Sequence, residues 1–226
     1  MKKNTRKFSN PVLYSKYRLA EHKIFFGRLP MRRYSRLSIV VSHISSDETL
    51  NAENDVVQLT NGNTTVEVSD FENALNLLPP GSEVEVVAKG TVGNGTVHNL
   101  NRIIRESSVL VTLNLSAVTE LSRVVESPFQ NNERLLAIHF PCNLVAINPR
   151  AFAGCTVLSS VIVPATVKKI GAGAFAGCMN LSHLEFKDPA GWKCNGEPID
   201  DFSIPAENPS RFISEESPYY SLEVYK

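Results

Sequence analysis

Residues 134–156 read RLLAIHFPCNLVAINPRAFAGCT, residues 157–179 read VLSSVIVPATVKKIGAGAFAGCM, and residues 180–186 open a third copy, NLSHLEF. The offset is 23 residues. The matched columns are Leu135/Leu158/Leu181, Ile138/Val161/Leu184, Phe140/Val163/Phe186, Pro141/Pro164, Ile147/Ile170, Ala151/Ala174, Phe152/Phe175, Gly154/Gly177 and Cys155/Cys178. A fixed period of this size marks stacked structural units, each contacting only its neighbours. Val161 and Val163 alternate with Ser160 and Ile162, a two-residue period that predicts a strand with one face inward. Pro164 ends it, Val167 and Ile170 supply further inward contacts, and the Phe175 ring fills the end of the unit. One such unit buries too little apolar surface to offset the ordering of 23 residues, so stacking is obligatory. The expected outcome is a right-handed solenoid of parallel strands.

At these columns the chain resembles the BspA-like, treponemal class of leucine-rich-repeat surface proteins, whose unit reads roughly L-x-x-I-x-L-P-x-x-V-x-x-I-G-x-x-A-F-x-x-C. Two units match closely. Upstream, Phe129 and Leu115 are placed in the same register, with Asn132 in place of the cysteine and Thr112 in place of the first leucine. LVTLNLSAVTEL at 110–121 is similar to the family's entry segment, and GWKCNGEPIDDF with the terminal tyrosines to its closing segment, so the resemblance covers about residues 64–226. It implies a bacterial protein at the cell surface, in the periplasm or secreted, used for adhesion or partner recognition.

Upstream of the repeats, VVQLTNGNTTVEV at 56–68 is two alternating runs about an Asn-Gly turn, which predicts a hairpin. DFENALNLLPPG follows, with Asp70 as N-cap, apolar spacing at Phe71, Ala74, Leu75 and Leu78, and a Pro-Pro-Gly stop, the pattern of a helix. Glu83–Val87 reads as a strand, Val97–Ile104 as a second helix and Val109–Leu115 as a third strand. That order demands parallel strands joined by crossovers, and predicts a cap continuing the sheet of the repeats. The fold class is therefore α/β: a leucine-rich-repeat solenoid on a parallel sheet, with helices on the outer side of the N-terminal units and extended chain on the outer side of later ones. Four segments are expected: a basic arm or leader at 1–54, N-terminal capping units at 55–109, repeats at 110–187, and a C-terminal cap at 188–226. The cap holds Trp192, Ile199, Phe202, Ile204, Phe212, Tyr219, Tyr220 and Tyr225 without a steady period, and reads as irregular.

Charge divides the chain. Net charge is zero, but residues 1–46 carry 11 Lys/Arg against Glu21 alone, and the rest carries 12 against 22 Asp/Glu. MKKNTRK suits the start of an export signal, yet no apolar stretch of about 7–15 residues follows, and the alternative start at Met31 is followed only by Leu37 to Val41. No stretch reaches the roughly 18 apolar residues of a membrane span. Cys142, Cys155, Cys178 and Cys194 form no C-x-x-C pair, and two of them are repeat positions, so they read as small apolar fillers.

No catalytic set emerges. KGTVGNG at 89–95 precedes a helix as a phosphate loop does, but its glycines do not form G-x-G-x-x-G and no Gly-Lys-Ser/Thr follows. There is no G-x-S-x-G or H-E-x-x-H, and His22, His43, His98, His139 and His183 are scattered. His139 and Glu185 fall two strands apart, about 10 Å, too far to share a zinc ion. Neither an enzyme, a metal nor a cofactor is expected. The expected site is the concave face of the sheet, where Asn114 and Ser116, Ala137 and His139, Ser160 and Ile162, and His183 and Glu185 point outward, with a host or cell-surface protein as partner. The alternative is nucleic-acid or anionic-membrane binding by the arm, where Arg and Lys alternate with Tyr17, Phe25, Phe26 and Tyr34.

Overall fold

The computed structural model describes residues 37–44, 56–61, 64–68, 71–124, 127–194, 197–198 and 224–225. The basic arm through residue 36, the Gly62-Asn63 link, Asp70 and residues 199–223 of the cap lie outside them. Each repeat contributes one strand to each of two sheets. The larger sheet takes β5 (Leu110–Thr119), β7 (Leu135–His139), β9 (Ser160–Val163) and β11 (His183–Phe186); the smaller takes β6 (Arg123–Val124), β8 (Ala146–Ile147), β10 (Lys169–Ile170) and β12 (Lys193–Cys194). The pairs β5–β7, β7–β9 and β9–β11 are parallel, as are β6–β8 and β8–β10. Ile138, Val161 and Leu184 from the first sheet and Val124, Ile147 and Ile170 from the second share one buried cluster. The apolar columns of the repeat are the core.

The rest of each unit is held by three devices at its end. Phe129, Phe152 and Phe175 stack nearly parallel at centroid separations of 5.2 and 5.6 Å, forming a ladder through the core. Below it, the Cys155 thiol donates to the Phe129 carbonyl at 3.0 Å and the Cys178 thiol to the Phe152 carbonyl at 3.1 Å, so each sulfur is both filler and tie to the preceding unit. Asn132 stands in the same column and works differently: its side-chain oxygen accepts from the amides of Arg134 and Leu135, turning the chain into β7. The third device is backbone. Ser127, Arg150 and Gly173 all have positive φ, as do Asn131, Gly154 and Gly177, each set spaced by 23 residues. Gly171 is constrained by space instead, because a Cβ there would run into the backbone of Asn148 and Pro149 in the unit before.

Hydrogen bonding with the Cys155 thiol, together with burial, holds the Cys178 thiol far above its ordinary pKa. In the native protein, a thiol reagent is expected to label exposed Cys142 promptly and to reach Cys155 and Cys178 only after denaturant is added. Prompt native labelling of both, read by peptide mass spectrometry, contradicts their place in the core.

Four expectations need correction. Residues 37–44 do not belong to an arm: they form β1 (Leu37–Ile44), parallel to β4 (Glu83–Thr91), with Ile39 and Val41 fully buried. Leu37–Val41, four apolar residues around Ser38, has the length of a strand. β1 then pairs antiparallel with β2 (Val56–Asn61), which pairs with β3 (Thr64–Val68), so the hairpin is formed but the sheet turns mixed beyond β1. The large sheet runs β11-β9-β7-β5-β4-β1-β2-β3. The two helices form where the apolar spacing put them, α1 (Phe71–Asn76) and α2 (Asn94–Glu106), and α2 links the parallel strands β4 and β5.

The second correction is register. Leu113, not Leu115, lies beside Ile138, and the pairing shifts at Leu136. β5 is longer than the later strands, and its last residues, Ala117 to Thr119, pair with β4 alone. The third concerns the phosphate-loop look-alike, whose Lys89, Gly90 and Thr91 are the end of strand β4 rather than loop. The fourth is the cap. It is more regular than its sequence, for β13 (Glu197–Pro198) and β14 (Val224–Tyr225) complete a small sheet of order β13-β12-β14-β10-β8-β6. β14 lies antiparallel between β10 and β12. Trp192 packs edge-on to Phe186 at 5.7 Å and donates its indole N–H to the Asp188 carbonyl.

Candidate functional site

On the large sheet, inward residues alternate with residues that face away from the core, and strand pairing aligns the latter into two rows. One row is Ser38, Glu85, Thr112, Ala137, Ser160 and His183; the other is Val40, Val87, Asn114, His139, Ile162 and Glu185. Seven of the eight residues expected on this face fall in these rows. The two-residue slip of β5 rearranges them: Asn114 stands beside His139 instead of Ala137, Thr112 takes the place beside Ala137, and Ser116 lies beyond the rows toward the end of β5. Glu85, Val87 and Thr112 were not anticipated. The alternation in Glu83–Val87 held the signal for Glu85, once β4 is known to adjoin β5.

The face has two internally bonded ends. At one, the Asn114 amide donates to the Glu85 carboxylate at 2.8 Å, and the Ser116 hydroxyl and backbone amide both donate to the Asn114 side-chain oxygen. At the other, the Lys187 ammonium bonds the Glu185 carboxylate, whose second oxygen lies 3.7 Å from His183 Nε2. Lys187 first, with a smaller contribution from His183, holds the Glu185 carboxyl below its ordinary pKa. Between the two ends lie Ala137, Ser160, His139 and Ile162. Ser160 and Ile162 are half-buried and His139 is exposed, and among the described residues neither His139 nor Ser160 makes a side-chain hydrogen bond. The centre of the face is thus small and apolar with imidazole at its side.

No helix of the described residues is long and apolar enough to cross a membrane, and among them no group of three His, Cys, Asp or Glu side chains could hold a metal ion.

Residues 106–191 match the family described as BspA type leucine rich repeat region (6 copies). No curated protein matches the chain. Among solved structures, a leucine rich cell surface protein from Faecalibacterium prausnitzii A2-165 is similar at 19% identity and a TM-score of 0.31, covering 60% of this chain. The chain spans 47% of that protein's length. With one strand in each sheet per 23-residue unit, a phenylalanine ladder and cysteines tied to the preceding unit, the region from 106 to 191 carries BspA-type leucine-rich repeats like those of the family it matches.

Proposed function

We propose that the repeats wind as a right-handed solenoid and that the chain is a non-enzymatic protein-binding module. Its concave face, the outward rows of the large sheet, recognises a host or cell-surface protein, and the chain acts at the bacterial surface or in secreted form. The observation that supports this most is the split between columns. Inward columns repeat the same apolar chemistry from unit to unit, whereas the outward rows carry Thr, Ala, Ser, His and Asn, His, Ile, Glu on successive strands. Packing does not restrict these positions, so they are free to be specialised for a partner. Ile162, apolar between His139 and Glu185, is the centre of the patch.

The test measures adherence of the purified chain to host cells, before and after surface proteins are removed by protease. Ile162→Lys with Glu185→Lys is expected to cut protease-sensitive adherence by at least about tenfold, the effect of losing one hot spot. Melting temperature should stay within a few degrees, since surface substitutions cost under about 0.5 kcal/mol each. Lys168→Glu with Lys169→Glu, on the opposite sheet, is expected to leave this adherence unchanged when it is measured in the presence of excess heparin. The reverse outcome places the protein site elsewhere.

A further inference from the structure

The small sheet carries a second pattern. Strand pairing aligns Arg123 with Ala146, Ala146 with Lys169, Lys169 with Tyr225 and Tyr225 with Lys193. Val124 and Ile170 are buried, whereas Arg123 and Lys193 are exposed and Lys169 is half-buried, so these cations face away from the core. At about 4.8 Å per strand, Arg123, Lys169 and Lys193 recur roughly every 10 Å along a line that crosses the strands. Exposed Lys168 stands beside this line. The described side chains of β6, β8, β10 and β12 include no carboxylate, in contrast to Glu85 and Glu185 on the large sheet. An apolar side chain adjoins the cations. Val145, one of two exposed large apolar residues among those described, lies between Ser122 and Lys168, its amide bonded to the Ser122 carbonyl and its carbonyl to the Lys168 amide.

We propose that this strip binds a linear sulfated glycan lying across the strands. Such a polymer presents anionic groups at regular intervals along one line and C–H faces between them. Lys and Arg heads match the sulfates by charge-assisted hydrogen bonds, and Val145 offers the apolar contact. A single-stranded nucleic acid fits less well, because base stacking needs exposed rings and the described exposed side chains of the strip, Arg123, Val145, Lys168 and Lys193, include none. The strip is on the opposite side from the protein-binding face, so either site can fail without the other.

The probe is heparin, titrated against the full chain at physiological ionic strength. Arg123→Gln, Lys168→Gln and Lys193→Gln together spare the half-buried Lys169, and are expected to weaken binding by about tenfold or more. The slope of log affinity against log salt should fall by roughly one for each contact removed. The control with the same charge change is Lys2→Gln, Lys3→Gln and Arg6→Gln in the basic arm, expected to weaken binding less than about twofold. Lys193→Gln alone, with an expected loss of about two- to fourfold, decides the matter should the triple variant unfold. The proposal is overturned by absence of heparin binding, by an equal or larger loss in the arm variant, by equal binding of desulfated heparin, or by an oligothymidylate competing as well as heparin.

Discussion

A Phe152→Ala protein is expected to lose about 3–5 kcal/mol of folding stability, the cost of emptying a large buried aromatic site. The ring is fully buried and makes three aromatic contacts: it stacks on Phe129 and Phe175 and meets the edge of Phe140 at 5.8 Å. Its neighbours cannot collapse into the gap, because their own units set their height. Fluorescence or circular dichroism during urea denaturation reads the effect. Since small domains are stable by only about 5–15 kcal/mol, the midpoint should move far to lower denaturant. A loss below about 1 kcal/mol would show that the ladder does not hold the units together.

Whole-unit arithmetic supplies the second large effect. Deleting Val157–Met179 removes β9 and β10 together and joins Thr156 to Asn180, which leaves every later column in register. β11 then meets β7, and β14 meets β8, through residues of the same kind. This protein is expected to fold and to unfold cooperatively. Deleting Pro164–Gly173 instead removes β10 and one corner and brings Val163 straight to Ala174. Phe175 can no longer stack on Phe152, and every following apolar column is displaced, so an unfolded or aggregated product is expected. Equal behaviour of the two deletions would refute solenoid winding, whichever way it fell.

Much of this was legible because a repeat restates its own rules. Leu, Ile and Val columns at 23-residue spacing name the inward face without reference to any contact, and Ala-Phe followed by Gly and Cys names the end of the unit. The outward residues followed by elimination, since a strand has only two faces. Where the chain stopped repeating, legibility stopped too. Val111, Leu113 and Leu115 alternate, so sliding β5 by two residues keeps every inward residue inward; a slip of one flips the faces, a slip of two does not. The periodicity was blind to that choice, and pairing with β4 on one side and β7 on the other decided it.

The sequence by itself determined the unit, its strands and its core, because those depend on burial, which acts on residue type and spacing. Tertiary structure alone decided which distant pieces close the sheets. Leu37–Ile44 becomes a strand between β2, which follows it in the chain, and β4, some forty residues on, and no local pattern announces the second of these pairings. Val224–Tyr225 is two residues near the chain end, and only the open edges of β10 and β12 make it one. The corners are a third case. Gly173 announces its positive φ, whereas Arg150 and Ser127 adopt the same conformation without glycine, because the backbone bonds between stacked units hold them there. Local chemistry writes a repeat into the chain; long-range pairing, which no local pattern encodes, finishes its ends.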